Sequence, residues 1–85
     1  MNVSKDEQRV LHALAQGGRI HVVKDERGRI DQVQCFNRDG FILPVCSQEV
    51  FRKLRSKKAI ISHEGRPYVI TRRGLEIVRA QFDNR

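Results

Sequence analysis

The chain of 85 residues has no tryptophan, one tyrosine, four phenylalanines, two prolines and two cysteines. So few aromatics give little support to binding single-stranded nucleic acid by base stacking. Cys35 and Cys46 are too few for a disulfide framework. The ten residues between them are not a zinc-ligand spacing, and His12, His21 and His63 form no H-x₃₋₅-H pair. No metal and no other cofactor is expected. No window approaches a membrane span, and no membrane partner is expected. The first seven residues carry no apolar run, so no secretory signal is expected. A reducing cytoplasm is the expected location, with both thiols free. There is no G-x-S-x-G, no glycine-rich phosphate loop and no carboxylate pair in an apolar setting. Cys35 with His21 on an adjacent strand is the one nucleophile–base pair on offer, and a cysteine on an alternating strand is far more often core. An enzyme is not expected.

What the chain has is positive charge. Its net charge is +7 and its pI about 10.3, which implies attraction to polyanions or to an acidic protein surface. The charge is uneven. Through Leu43, seven basic residues face six acidic ones, a net of about +1. From Pro44 onward, ten face four, a net of about +6. A hydrophobic share of 39% is that of one small globular domain over residues 1–85, not of a disordered chain.

In order along the chain, Ser4-Lys5-Asp6-Glu7 is a capping box. It predicts a helix over Lys5–Gln16 with Val10, Leu11 and Leu14 inward, His12 outward, and a stop at Gly17-Gly18. Arg19 to Lys24, Arg29 to Phe36 and Phe41 to Leu43 read as a three-strand meander. Its turns fall at Asp25–Gly28 and Asn37–Gly40. The register is open, because apolar residues occupy both faces. Ser47 caps a second helix near Gln48–Lys57 with Val50, Phe51 and Leu54 on one face. Gln48 and Arg52 then point outward, with Lys53 and Arg55 on the flanks. Ala59 to Ile61 and Tyr68 to Ile70 read as a hairpin around His63–Pro67. Thr71 caps a last helix, expected to turn Leu75, Val78 and Phe82 inward, and Gly74 would let that helix approach the sheet. The expected core is Val10, Leu11, Leu14, Phe51, Leu54, Ile61, Leu75 and Val78.

The predicted fold class is therefore α+β, in the order α-β-β-β-α-β-β-α. Helix, basic hairpin and Thr-capped helix form the order of the second half of a winged helix-turn-helix domain. There the first of these helices recognises and the hairpin is the wing. A plain winged helix would hold a second helix where this chain has a meander, so the expectation is a winged-helix-like variant.

Several stretches carry a resemblance. They are Glu7-Gln8-Arg9, Leu14-Ala15, Gly17-Gly18-Arg19-Ile20, Lys53-Leu54, Lys57-Lys58, Pro67-Tyr68, Gly74-Leu75, Val78-Arg79-Ala80-Gln81 and Asp83-Asn84-Arg85. Through them the chain resembles the small bacterial YjhX family nearly end to end. The resemblance implies the toxin half of a toxin–antitoxin pair, an inhibitor of DNA topoisomerase I with a cognate antitoxin as second partner. It implies no particular contact residues.

The residues themselves nominate a binding face: Gln48, Arg52, Lys53, Arg55, Lys57, Lys58, Arg66, Arg72 and Arg73. If duplex DNA is the partner, Gln48 and Arg52 are the candidates for base edges and the other cations for phosphates. An acidic protein would reward the same field. Two functions compete: a non-enzymatic inhibitor of topoisomerase I, and a DNA-binding winged-helix transcriptional regulator.

Overall fold

The computed structural model describes the backbone of residues 3–83 and the side chains of residues 3–80. Its order is α1 (Lys5–Ala15), β1 (Arg19–Lys24), β2 (Ile30–Phe36), β3 (Ile42–Leu43), α2 (Gln48–Ser56), β4 (Ile60–Ile61), β5 (Val69–Ile70) and α3 (Arg72–Asp83). The class is α+β and the element order is the expected one.

Local chemistry explains the helix ends. The Glu7 backbone N–H donates to Ser4 Oγ at 3.1 Å, and the Glu7 carboxylate accepts from the Ser4 N–H, closing the capping box. The N–H groups of Gly17 and Gly18 return to the Leu14 and Ala13 carbonyls, which satisfies the last turn of α1. Gly18 is required there by space. A Cβ would sit 2.5 Å from the Phe36 carbonyl oxygen and 2.9 Å from that of Ala13.

The meander is antiparallel in the order β1-β2-β3, with Ile20 opposite Cys35 and Cys35 opposite Leu43. A bulge between Val23 and Lys24 ends the regular ladder. Its two turns share one design. Asp25 Oδ1 accepts the N–H groups of Arg27 and Arg29, and Asn37 Oδ1 accepts those of Asp39 and Phe41, each at 2.9 Å. β4 and β5 form a separate hairpin, joined to the meander where Ile20 and Tyr68 exchange both backbone hydrogen bonds.

The core gathers Val10, Leu11 and Leu14 of α1, Val50, Phe51 and Leu54 of α2, Ile20 and Cys35 of the meander, and Cys46, Ala59, Ile60 and Ile77. Phe51 is fully buried, with the Tyr68 ring edge-on at 4.9 Å. Burying a side chain of this kind stabilises by about 1.5–3 kcal/mol.

Three core expectations need correction. Ile61 is exposed, because in a strand so short Ile60 takes the inward side and its neighbour the outward one. Leu75 is also exposed and Val78 half-buried, while Ile77 is buried. The cause is Gly74. It packs so closely that a Cβ would meet the Ala59 carbonyl oxygen at 2.4 Å and Ile70 Cγ1 at 2.6 Å. That contact turns α3 onto its Gly74–Ile77 side. Phe82, expected inward, lies outside the described side chains.

Candidate binding surface

The surface is built on α2. Ser47 Oγ accepts from the Val50 N–H at 3.1 Å and starts the helix in the expected phase. With Val50, Phe51 and Leu54 buried, Arg52, Lys53 and Arg55 stand in solvent. Gln48 is exposed too, but its carboxamide N–H donates to the Asp31 carbonyl at 3.0 Å, tying the start of α2 to β2. Lys53 pairs with Glu49 at 3.1 Å along the helix. The Arg55 guanidinium lies over the Phe51 ring, 5.5 Å from its centre.

Lys57 differs from its neighbours. Its ammonium forms an ion pair with Glu7, whose side chain is only 3% exposed. Burial alone would raise the Glu7 carboxyl. The hydrogen bond from Lys57, with the Ser4 N–H and the Lys57 charge, outweighs burial and holds the group below its ordinary value. Lys57 thus joins the end of α2 to the start of α1. Lys58 takes the left-handed conformation, φ 58°, and closes α2: its N–H reaches the Arg55 carbonyl and that of Ala59 reaches Leu54.

In the hairpin, Glu64 and Gly65 both have positive φ and the Arg66 N–H donates to the His63 carbonyl at 3.0 Å, as in a type I′ turn. The Ser62 hydroxyl donates to the Arg66 carbonyl and braces the same loop. Thr71 Oγ1 accepts from the Gly74 N–H at 3.0 Å and donates to the Lys58 carbonyl at 2.7 Å, so the last helix is capped and tied back to α2. Arg72 and Arg73 are exposed at its start, Arg72 within 4.0 Å of Glu76. Among the described residues, Arg52, Arg55, Lys58, Arg66 and Arg73 have no carboxylate at ion-pair distance.

The structure brings Arg55 and Arg66 together on a cleft of about 500 Å³ between the hairpin and the meander. The cleft also takes His21 and Lys24 from β1, which sequence reasoning left out of the face. Their contribution depends on how the meander packs against the hairpin, and no local pattern encodes that. A larger groove of about 670 Å³ runs between α1, α3 and Leu43, with Lys5, Arg9 and His12 on its α1 side.

Cys35 and His21 do not form a dyad. Cys35 is fully buried opposite Ile20, whereas His21 lies one position further on, its ring packed against Phe36 at 5.1 Å. The Cys35 thiol instead shares a hydrogen bond with Cys46, which together with burial pushes the Cys46 thiol up. Among the described residues no three His, Cys, Asp or Glu side chains gather as a metal site. Among them also, no helix is long and apolar enough to cross a membrane.

Fold and surface together define a small basic α+β protein that carries exposed cations on α2, at its end, in the hairpin and at the start of α3, among others elsewhere on the surface. The chain belongs to the YjhX toxin family, described as "Putative toxin of bacterial toxin-antitoxin pair", which it matches over residues 1–85. It is 58% identical to a UPF0386 protein of Rhodospirillum centenum, over all of this chain and 99% of that one. It is 56% identical to a UPF0386 protein of Chelativorans and 51% identical to one of Rhizobium etli, in both cases over the full length of each chain. No solved structure matches it.

Proposed function

We propose that this chain is a toxin that acts by binding rather than by chemistry, and that its target is DNA topoisomerase I. The observation that carries the binding face is that Arg52 and Arg55 on α2 and Arg66 in the β4–β5 hairpin are exposed and have no carboxylate partner among the described residues. The family supports a toxin held in check by a cognate antitoxin. The target itself rests on the likeness of the chain to that family. On this reading α2 serves as the recognition helix and β4–β5 as the wing of a winged-helix-like domain, with the meander in place of a further helix. Gln48 keeps α2 seated on β2, and Lys57 holds it against α1, so the contact work falls to Arg52, Lys53, Arg55, Lys58, Arg66, Arg72 and Arg73.

The test is a supercoil-relaxation assay with topoisomerase I and the Arg52→Glu variant. Arg52 is exposed and pairs with no described carboxylate, so stability should change by no more than about 0.5 kcal/mol. Inhibition should nevertheless be lost, because attraction becomes repulsion. Adding Lys53→Glu should cost slightly more, about 0.2–0.5 kcal/mol, since it faces Glu49 one turn away. A folded double variant that inhibits like the parent refutes the face. The second reading, a regulator of transcription bound to duplex DNA, is favoured by the exposure of Arg52 on the helix that would enter the groove. It requires DNA affinity that falls steeply with salt.

A further inference from the structure

The cleft between hairpin and meander has features that a general basic surface lacks. Its charged lining consists of Lys24, Arg55 and Arg66, with His21 beside them and no carboxylate among the described lining residues. None of the three cations has a described ion-pair partner, although Asp25 and Glu64 lie next to the cleft in sequence; Asp25 is taken up by Arg29. Two of the three are held in position. Arg55 rests on Phe51, which is itself braced by Tyr68, and the Arg66 backbone is fixed by Ser62. The three come from a strand end, a helix and a hairpin loop, so they approach one volume from different sides. Convergent like charges repel, and an anion seated among them relieves that repulsion. Guanidinium forks match the oxygens of a phosphate, and the ammonium adds a point charge.

We infer that this cleft is a phosphate-binding site, gripping one phosphoryl group through Arg55, Arg66 and Lys24. This deepens the reading of the basic face, since it shares Arg55 and Arg66 with it. The phosphoryl group is either a backbone phosphodiester of duplex DNA or part of a small phosphorylated molecule. The volume of about 500 Å³ is larger than a lone phosphate needs, which leaves room for the rest of the ligand beside Tyr68 and Pro67.

The test uses the full-length chain, isotopically labelled and titrated with inorganic pyrophosphate at about 0.15 M salt, where unspecific surface attraction is screened. Saturable NMR shifts are expected at the Lys24, Ser62 and Arg66 amides and at the Arg55 Nε–H. Arg55→Gln with Arg66→Gln should weaken binding about tenfold or more. Should Arg55→Gln disturb the fold, Lys24→Gln with Arg66→Gln gives the same reading, both side chains being exposed. A short DNA duplex that displaces pyrophosphate identifies the backbone as the source; a duplex that leaves it bound identifies a small molecule. Shifts spread evenly over Arg52, Arg72 and Arg73, or equal affinity in the variants, overturn the site. A chain that binds neither probe but inhibits topoisomerase in an Arg52-dependent manner loses the cleft and keeps the inhibitory reading. A chain that binds pyrophosphate and inhibits nothing does the reverse.

Discussion

Lys57→Met tests the bond between α1 and α2. It keeps the aliphatic stem and removes the ammonium, leaving the Glu7 carboxylate, 3% exposed, without its counter-charge. Removing one member of a buried pair costs about 3–5 kcal/mol in general. Lys57 is 20% exposed and Glu7 can escape by taking up a proton, so a cost at or just below the bottom of that range, about 2–3 kcal/mol, is expected. A domain of this size has about 4–13 kcal/mol in all. The Tm should then fall by about 8–24 °C. The pH dependence gives a second check. In the parent the Glu7 carboxyl is held below its ordinary value, so its contribution is complete above the unfolded value, about 4.3, and is lost as pH falls through the lower folded value. In the variant only burial and the cap remain, so the folded value rises relative to the parent and protonation becomes easier. The cost of the substitution should therefore shrink as pH falls from 7 through the carboxylate range. Urea melts at several pH values measure this. A cost under about 0.5 kcal/mol at pH 7, or one independent of pH, would refute the assignment of Lys57 to the framework. Well below the new Tm, the variant should still inhibit topoisomerase if that reading holds.

Other perturbations follow the same logic. Lys58→Gly relieves a left-handed residue at φ 58° and should stabilise by about 0.5–1 kcal/mol in a thermal melt; a loss would mean that the lysine side chain holds something the geometry does not reveal. Gly74→Ala, which in an open helix stabilises, should here cost about 1–3 kcal/mol because the added carbon meets a carbonyl oxygen, and an unchanged Tm would contradict the close packing. Cys35 and Cys46 should resist a thiol reagent until the chain unfolds, since both are buried and Cys46 is pushed up; fast labelling of native protein would show that the core opens locally.

The element order was legible because its signals are local. The capping box needs only Ser4 and Glu7, and α2 has one continuous apolar face that fixes its phase. α3 offered two stripes, through Leu75 and through Ile77. The choice between them lay in a glycine whose neighbours are 15 and four residues away, Ala59 and Ile70. Ile60 and Ile61 are the same residue type, so the pattern held no information about which faced inward. Of the nominated face, the exposure of Arg52, Lys53 and Arg55 followed from helix phase alone. That Lys57 would be occupied did not, because its partner is 50 residues away and local charge patterning sees only neighbours. The share of His21 and Lys24 in the cleft was hidden for a similar reason, since it arises where two sheets meet.

That meeting point is a single residue pair. Ile20 is opposite Cys35 on one side and exchanges both backbone bonds with Tyr68 on the other. Mechanically it is a pin rather than a seam. A partner that grips the hairpin tip and pulls applies its load, across the sheets, to two hydrogen bonds in series with the meander instead of a ladder that shares it. The root of the hairpin is held at that pin by Phe51, packed edge-on against Tyr68. The width of the cleft between hairpin and meander is then set at one residue pair rather than along a ladder.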